Sequence, residues 1–419
     1  MDYAKLRAWW FHRQSLERNS SSISESLTCH SRARSVGGAS PYLVLFARRL
    51  ATRQVVDDLV VAEPEIHELP AARGCTYVVP APAYALALKA GAPFADGDIK
   101  SARKLGVIDS EIDKLGSAVI DALAKGTLDP DGLKLALGAK VRNLGEEGKK
   151  KGVATTLPLA LGLLQTQGEI RRIPVNGRLD NQRYRYALWR PNPLTKNPSG
   201  DTFAELARRY FDWTGSATPA EFQWFCGLGV KVAKAAFEPL NLVDAGDGRL
   251  LPLALADEFA AFQVPQKTHY ALVSSVDSAF ELRRNLTSLV DDLDAQIPRH
   301  RGPVAVGKIF GLPSHAILDR GRLVGVWQYD VNTASIAWKT FQKPDVAVKM
   351  TVKAMEHFLK SDLGSARSFS LDSPKLRAPA SRPCGTAHEC DRNRRSFIRR
   401  GFLYAREHGT ILLASGSQS

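Results

Sequence analysis

Apolar residues recur at helical spacing early in the chain, where they predict three short helices followed by a β-hairpin. The first helix covers residues 3 to 18, and two more cover residues 41 to 50 and 53 to 62. Two strand-like runs follow, EIHELP and CTYVVPA, and the short turn between them places Arg73 at the tip of the hairpin. This part of the chain therefore predicts a helical unit that ends in a hairpin.

The same layout returns from about residue 95. VIDSEIDKLGSAVIDAL and TLDPDGLKLAL predict helices, and Asp129 followed by Pro130 is typical of an N-cap and a first helical position. The lysine cluster at residues 149 to 151 then precedes an apolar helix predicted to begin near Val153. A second hairpin follows, GEIRRIPVNGRLDNQRYRYALWRP, whose Asn-Gly step at 176–177 predicts a tight turn.

The third segment has the clearest pattern. DTFAELARRYFDWTG, SATPAEFQWFCG and GVKVAKAAFEPLNLV predict three helices, the first capped by Asp201 or Thr202 and the second begun by Thr218 and Pro219. A short hairpin then turns at the Asp-Gly step 247–248. Helix, helix, helix and hairpin is the order of a winged-helix unit. Because repeated units define an architecture, three such segments in succession predict tandem winged helices.

From about residue 266 the pattern changes to short runs typical of strands. HYALVSSVDSAFELRRN and HAILDRGRLVGVWQYDVNTASIAWKTF predict strands, with tight turns at Arg320-Gly321 and Asn332-Thr333. The helical segment KPDVAVKMTVKAMEHFLKSDLG closes this group of strands. Periodicity is lost near residue 375, and the remaining residues predict a disordered tail.

These patterns predict an α+β protein with tandem winged-helix motifs and a small C-terminal β subdomain. The predicted divisions are a first winged-helix unit (1–92), a second (93–196), a third (197–262), the β subdomain with its closing helix (263–375) and a basic, disordered tail (376–419).

The charge of the chain points to an anionic partner. The 419 residues carry a formal net charge of +14 with a pI of about 9.6, which favours nucleic acid first and a membrane surface second. The tail holds eight arginines against three acidic residues, so most of the excess lies in the rest of the chain. Double-stranded DNA is the predicted partner, and a monomer is expected.

The sequence provides little support for a metal site, a cofactor or a membrane span. The five cysteines form no CxxC pair, and Cys384, His388 and Cys390 in the tail are a weak zinc signal, so we expect no metal and no small-molecule cofactor. No run of eighteen apolar residues predicts a membrane span, and the charged start MDYAKLRAWWFHRQSL does not resemble a signal peptide. We expect a cytoplasmic protein that is nucleoid-associated when it binds DNA.

Basic and hydroxyl side chains at three kinds of position are candidates for contacts with DNA. Some flank Gly37 and Gly38, some lie on the predicted hairpins, and some lie at the ends or on the exposed face of predicted helices. The predicted DNA-binding residues are Arg32, Arg34, Arg73, Lys149, Lys150, Lys151, Thr155, Thr156, Arg178, Lys231 and Lys234, with Arg171, Arg172, Arg183 and Arg185 as further arginines of the second hairpin. The alternatives are that the glycine pair only joins two helices, that the lysine run is a solvated face, and that the helix carrying Lys231 and Lys234 packs internally.

Five segments resemble the winged-helix DNA-binding proteins related to the AlkZ-like (YcaQ-like) DNA glycosylases. They are ARSVGGASPYLVLFARR, EIHELPAARGCTYVVP, GEIRRIPVNGRLDNQRYRYALW, LARRYFDWTGSATPAEFQWFCGLGVKVAKAAFEPL and HAILDRGRLVGVW. The resemblance covers roughly residues 1 to 375. It implies tandem winged helices and a β subdomain arranged around a concave channel for DNA, and a role in repair of alkylated or crosslinked bases.

The chain departs from the pattern of this family where the chemistry is carried. The resemblance implies a pair of glutamines, or a glutamine and an aspartate, just before a proline and a helix. Aligned on Pro41, the two positions are Gly37 and Ala39. Neither side chain can hold a water or stabilise the oxocarbenium charge that develops when a base leaves. Very low release of simple N7-alkyl purines is therefore expected, and the candidate substitutes are Ser35, Glu65 and His67, with Glu68 beside them.

Three hypotheses stay open on the sequence. The first is a DNA-binding protein of glycosylase ancestry in which the usual catalytic pair is absent. The second is an active glycosylase that removes alkylated or crosslinked bases with a different set of residues. The third is a winged-helix transcriptional regulator without enzymatic activity, which reads DNA sequence through one recognition helix.

Overall fold

A computed structural model describes residues 2–18, 21–29, 33–35, 38–61, 65–181, 183–196, 200–283, 285–298, 302–331 and 333–364. The fold is α+β. Its elements are, in chain order, α1 Tyr3–Arg13, α2 Ile23–Cys29, β1 Ala33–Arg34, α3 Ser40–Arg49, α4 Arg53–Val61, β2 Ile66–Pro70, β3 Thr76–Pro80, α5 Tyr84–Arg103, α6 Asp109–Leu123, α7 Pro130–Leu137, α8 Gly145–Lys150, α9 Leu157–Thr166, β4 Ile170–Pro174, β5 Tyr184–Leu188, α10 Thr202–Thr214, α11 Pro219–Cys226, α12 Val230–Phe237, β6 Leu242–Gly246, β7 Arg249–Pro252, α13 Ala256–Ala261, β8 Tyr270–Val273, α14 Ser278–Glu281, β9 Gln296–Ile297, β10 Val304–Ala305, β11 His315–Asp319, β12 Arg322–Asp330, β13 Ser335–Thr340 and α15 Val346–Phe358.

The first hairpin is part of a three-stranded antiparallel sheet with the order β1-β3-β2. Strands β2 and β3 pair over their whole length, as predicted, and Arg73 lies at the turn between them with a φ of 59°. The sequence pattern gave no sign of β1, which pairs Ala33 with Val78 and Arg34 with Tyr77. Through this short strand, the segment before Gly37 is hydrogen-bonded to the first hairpin.

Two predictions for the second segment are wrong. Asp129 caps α7 as expected, accepting a hydrogen bond from the Gly132 amide at 2.8 Å. The lysine cluster, however, does not lead directly into the apolar helix: Lys149 and Lys150 end the separate helix α8, and α9 begins only at Leu157. The predicted tight turn at 176–177 is also wrong. The last hydrogen bond of the hairpin joins Val175 to Arg183, so a longer loop connects the two strands.

Local signals in the third segment are confirmed. Asp201 caps α10, and Thr218 forms a capping box with Glu221 at the start of α11. Strands β6 and β7 turn at residues 247–248, where both φ angles are positive. Helices α10, α11 and α12 pack around buried aromatic side chains, with Tyr210 stacked on Phe225 at 5.0 Å.

The C-terminal part contains a four-stranded antiparallel sheet with the order β13-β12-β11-β8. The tight turn at Arg320-Gly321 is confirmed, and α15 packs on the sheet as the predicted closing helix. One expected strand is wrong: residues 278 to 281 form the single-turn helix α14, because the Asp277 carboxylate accepts from the Ala279 amide and caps it. Asn332 and the tail from residue 365 lie outside the described residues.

Distant parts of the chain share one core. The largest buried cluster combines residues of α2, α3 and α4 with residues of β11, β12 and α15. Within it, Phe46 and Phe358 stack with ring centroids 4.0 Å apart. Helix α5 packs against both α9 and α10, so the predicted boundary at residue 92 falls inside a helix that connects all three segments. The division into domains stays a prediction.

A buried ion pair joins α3 to α14. The Arg48 guanidinium donates to both carboxylate oxygens of Asp277 at 2.7 and 2.8 Å, and the two side chains are 1% and 0% exposed. Arg48 also donates to the Ser278 hydroxyl, which in turn donates to Gln14 of the segment after α1. Because every partner is buried, this network fixes the N-terminal helices against the C-terminal part. In the described part of the chain, no helix has the length and apolar character needed to cross a membrane.

Candidate functional site

The three-stranded sheet brings Ser35 to Glu68. The Ser35 amide donates to the Thr76 carbonyl at 3.0 Å, which extends the pairing of β1 with β3 by one residue. On the same face of the sheet, the Ser35 hydroxyl donates a short hydrogen bond to the Glu68 carboxylate of β2. Two of the segments that carry candidate residues are therefore neighbours in space. The partner of Ser35 is Glu68 and not Glu65.

Glu68 is a buried carboxylate with a cationic neighbour. It is 3% exposed, and Arg172 of β4 lies 3.6 Å from its second oxygen. The Arg172 guanidinium lies over the Tyr184 ring, 4.5 Å from the centroid. Burial raises the pKa of Tyr184, and the negative charge of Glu68 raises it further. The second hairpin therefore supplies the positive charge and the aromatic ring that surround the carboxylate.

His67 points away from Glu68, since neighbouring residues of a strand face opposite sides of a sheet. It is 1% exposed and packs edge-on against Trp189 at 5.2 Å and Tyr84 at 6.3 Å. Burial lowers the pKa of His67 to about 3, and the nearby Arg171 and Arg172 lower it as well. Among the described residues, neither ring nitrogen has a hydrogen-bond partner. A neutral imidazole enclosed by aromatic rings is not placed for proton transfer with Ser35 or Glu68.

A second cluster forms where the first hairpin meets α14. Glu281 accepts from Arg34 on one carboxylate oxygen and from Arg73 on the other, each at 2.7 Å. The Arg73 guanidinium also lies 4.3 Å from the ring centroid of Trp224 on α11. Arg73 is therefore not at a free hairpin tip as expected, because the turn is docked inside the protein against Glu281 and Trp224, and its contact with DNA stays a prediction.

Several other predicted residues are turned inward. Thr156 is fully buried and its hydroxyl accepts from the Arg142 amide at 3.1 Å, so it does not offer that hydroxyl to a phosphate. Arg178 pairs with Asp180 at 2.6 Å and donates to the Leu363 carbonyl at 3.0 Å, which holds it against the helical turn that follows α15. Thr155 is half-buried and its backbone bridges to residue 143.

Five of the predicted lysines are exposed. Lys149 and Lys150 make surface ion pairs at 2.7 Å with Glu146 and Glu147. Lys151 follows directly and is also exposed. Lys231 and Lys234 lie on the solvent face of α12, whose buried face consists of Ala233 and Ala236. The alternative that this helix packs internally does not hold for the face that carries Lys231 and Lys234, which is exposed among the described residues.

The segment expected to carry the catalytic pair is only partly described. Arg32 and Gly37 lie outside the described residues. Ala39 is the N-cap residue of α3, is 1% exposed, and belongs to the largest buried cluster. Its methyl group is a core contact. Glu65 is exposed, and its backbone carbonyl accepts from Ala81.

No group of three or more histidine, cysteine, aspartate or glutamate side chains is arranged to hold a metal ion within the described ranges. The three tail residues considered as zinc ligands lie outside them. The partners that sequence reasoning missed, Trp224 and Glu281, come from distant segments. The order of residues along the chain contains no signal for these contacts, because Arg34 and Arg73 belong to different parts of the first segment and meet Glu281 only in the fold.

Comparison with known proteins places this arrangement in a family. The model of the DNA glycosylase AlkZ-like family matches residues 32–356, and the chain belongs to this family. The DNA glycosylase AlkZ of Streptomyces sahachiroi has a similar fold, with a TM-score of 0.63 and 18% sequence identity over 87% of this chain and 98% of that one. No curated protein sequence matches the chain. Membership of the family supports a role related to DNA repair.

Proposed function

We propose that this protein binds double-stranded DNA through three winged-helix units and releases alkylated or crosslinked bases slowly, with Glu68 as the stabilising carboxylate. The observation that carries the proposal is the buried Glu68 carboxylate, which accepts a hydrogen bond from Ser35, two residues before Gly37 in the sequence. DNA binding and base release are supported by different segments of the chain, so each of the two activities has its own test.

The winged-helix part rests on the third segment. Helices α10 to α12 are followed by the β6-β7 hairpin, which is the order of a winged-helix unit. Helix α12 has the position of a recognition helix, and Lys231 and Lys234 stand one turn apart on its exposed face. An exposed basic helix face is suited to the phosphates that border the major groove.

The expected loss of the usual chemistry is supported by Ala39. Release of a base breaks the bond from C1′ to the base nitrogen, whose electron pair leaves with the base, and water then bonds to C1′. An amide or carboxylate side chain can orient that water or stabilise the cationic sugar. The Ala39 methyl group does neither and lies in the core. A chain that lacks the pair should therefore depend on charge supplied from a neighbouring element.

Glu68 is placed to supply that charge. A buried carboxylate acts over several ångströms because the low-dielectric interior screens it weakly, so Glu68 need not touch the sugar. Its bond to Ser35 fixes it towards β1, and Arg172 pairs with its other side. Without a placed water, such a site favours the cationic transition state but leaves the attack of water slow.

Excision kinetics test this role directly. We expect Glu68→Gln to lower the single-turnover release of N7-methylguanine from duplex DNA about 100-fold, because the isosteric amide removes the charge. DNA affinity should stay unchanged, which separates loss of transition-state stabilisation from damage to the structure. Glu65→Gln is the matched control, since Glu65 is exposed, and should retain the wild-type rate.

Two results would contradict the proposal. Release by Glu68→Gln at the wild-type rate would show that Glu68 has no part in the chemistry. A wild-type rate as fast as that of a glycosylase carrying the glutamine pair would show that the ordinary chemistry is retained by other residues. Glu68→Asp provides a second variant if the amide fails to fold, and it should keep partial activity because it keeps the charge.

The lysine cluster at 149–151 gives a test of DNA binding alone. Changing all three residues to alanine should weaken binding of undamaged duplex about tenfold to 100-fold at low salt, since each exposed lysine can neutralise a phosphate. Stability should change little, because surface ion pairs such as Lys149–Glu146 contribute about 0–1 kcal/mol. The triple variant Lys343→Ala, Lys349→Ala and Lys353→Ala removes the same charge from the C-terminal helix region. Equal affinity losses in the two triples would show a general charge effect and no local contact.

A transcriptional regulator is the second candidate function, favoured by the exposed face of α12. Such a protein would read sequence through that helix and would need a site for a small effector or a partner subunit. The candidate site for such an effector would be an open crevice of about 480 Å³ between α4 and the second hairpin, lined in part by Arg53, Asn176 and Arg185. Enrichment of one sequence from a random duplex pool would favour a transcriptional regulator, and uniform recovery of all sequences would favour a role in DNA repair.

A further inference from the structure

Two arginines share a single carboxylate at the junction of the first hairpin and α14. Arg34 and Arg73 each donate one hydrogen bond to Glu281, and the three side chains are 27%, 19% and 11% exposed. The cluster therefore carries an excess positive charge in a place where water is largely excluded. Burial is the largest single influence on the pKa of Arg34 and lowers it, but Glu281, Cys75 and Tyr77 together raise the pKa by more, so the net shift is upward and the guanidinium stays charged.

The cluster also holds more donors than acceptors. Within the described residues, the Nε atoms of Arg34 and Arg73 and the hydroxyl of Tyr77 are buried and have no hydrogen-bond partner. Tyr77 lies opposite Arg34 in the sheet and is 2% exposed. Burial raises the pKa of Tyr77 to about 12, and the nearby Glu281 contributes, so the hydroxyl keeps its proton at neutral pH. Three unpaired donors beside a net positive charge are suited to an oxyanion with several acceptor oxygens.

We propose that this cluster is a binding site for one backbone phosphate of DNA, and that the phosphate takes the place of Glu281 on Arg34. The proposal rests on the proposed function in that duplex DNA is the partner. A carboxylate that bridges two guanidinium groups presents its oxygens much as a phosphate does. In the DNA-free protein, Glu281 therefore occupies the phosphate position and competes with DNA for it.

The two arginines differ in how firmly they are held. The side chain of Arg73 packs on Trp224, and a Cβ atom added at Gly227 would lie only 2.6 Å from its Cγ, so the third segment encloses it. Arg34 is the more exposed of the two, at 27% against 19%, and among the described residues its guanidinium donates only to Glu281. Arg34 is thus the residue that can turn towards DNA, while Arg73 keeps Glu281 paired after the exchange.

The position of Arg34 gives the site a second consequence. Arg34 is the last residue of β1, and Ser35, whose hydroxyl donates to Glu68, follows it directly. A phosphate bound by Arg34 would therefore fix the backbone beside the proposed stabilising carboxylate. Through this contact the cluster would position the target nucleotide as well as add affinity.

Binding of undamaged duplex DNA tests the site without any excision step. Glu281→Gln should tighten binding at least fivefold at fixed low salt, because the competing carboxylate loses its charge. The matched control is Asp131→Asn, which makes the same charge change at a side chain that is 90% exposed on α7. Arg34→Ala should weaken binding about tenfold. In the Arg34→Ala background, Glu281→Gln should have no effect beyond that of Asp131→Asn.

The outcomes distinguish failure of the phosphate site from failure of the proposed function. If wild-type protein binds duplex but Glu281→Gln gains no more than Asp131→Asn, the phosphate site is wrong and the proposed function stands. If wild-type protein binds no duplex at low salt, the proposed function itself fails. Should Glu281→Gln not fold, undiminished binding by folded Arg34→Ala would overturn the site. Tighter binding of deoxyguanosine monophosphate by Glu281→Gln, with unchanged duplex affinity, would overturn its assignment to DNA.

Discussion

Raising the salt concentration from about 50 mM to about 200 mM should weaken binding of undamaged duplex DNA by about a thousandfold. This is the loss expected when a protein neutralises about six phosphates and releases their counterions. The exposed lysines at 149–151 and on α12 are the side chains that we expect to make most of these contacts. Fluorescence anisotropy with a labelled duplex across a salt series measures the slope of log affinity against log salt.

The control is a set of duplexes of equal length and different sequence. Their affinities should agree within a few fold, because contacts to phosphates carry no direct sequence information. The Lys231→Ala and Lys234→Ala double variant should reduce the salt slope by about two. Affinity that is insensitive to salt, or a slope that is unchanged in the double variant, would contradict an electrostatic mode of binding.

The second large effect concerns stability. Asp277→Ala should lower the free energy of unfolding by about 3–5 kcal/mol, because it leaves the Arg48 cation buried without a carboxylate. The same change removes the cap of α14, which adds to the loss. Urea denaturation followed by circular dichroism measures the change. A loss of this size is a large part of the stability of a typical domain.

Two companion variants make this prediction specific. Replacing both members with apolar residues, Arg48→Met with Asp277→Leu, should cost less than Asp277→Ala alone, because no unpaired charge is left in the core. Lys134→Ala breaks the exposed pair with Asp131 and should cost less than about 1 kcal/mol. An Asp277→Ala variant as stable as Lys134→Ala would show that the buried network contributes little.

Elements with a local cause could be predicted from the sequence. Thr218, Pro219 and Glu221 contain the whole capping box of α11 within four residues, and the structure confirms it. The turn at 320–321 is equally local, since both residues adopt positive φ. In such cases the interactions that fix the backbone are made by neighbours in the chain, so the sequence order is sufficient to reveal them.

Predictions from local pattern are wrong where a contact with a distant residue determines the backbone. The Asn-Gly step at 176–177 predicts a two-residue turn, but the Leu179 amide donates to the Tyr42 hydroxyl at 2.8 Å and Leu179 is fully buried. That contact, made across more than 130 residues, draws the loop onto α3 and widens it. Periodicity and turn chemistry contain no information about such a partner.

In the candidate site too, local features could be predicted and contacts between distant segments could not. The sequence placed Arg73 correctly at the tip of a hairpin, yet its partners Trp224 and Glu281 come from two other parts of the chain. Likewise, the sequence offers Ser35 and Glu68 as candidates, but their hydrogen bond depends on strand β1, which is two residues long and too short for an alternating pattern to reveal. The roles of these residues in DNA binding and excision stay predictions.

The stacking of Phe46 on Phe358 has a consequence for how the chain is made in the cell. The two rings are separated by roughly 300 residues, so at about 5–20 residues per second the ribosome needs about 15–60 s to supply the second ring after the first. During that interval α3 and α4 lack the strands and the helix that complete their core. The nascent chain therefore presents an unfinished apolar surface, and we expect it to need a holding chaperone until α15 has emerged.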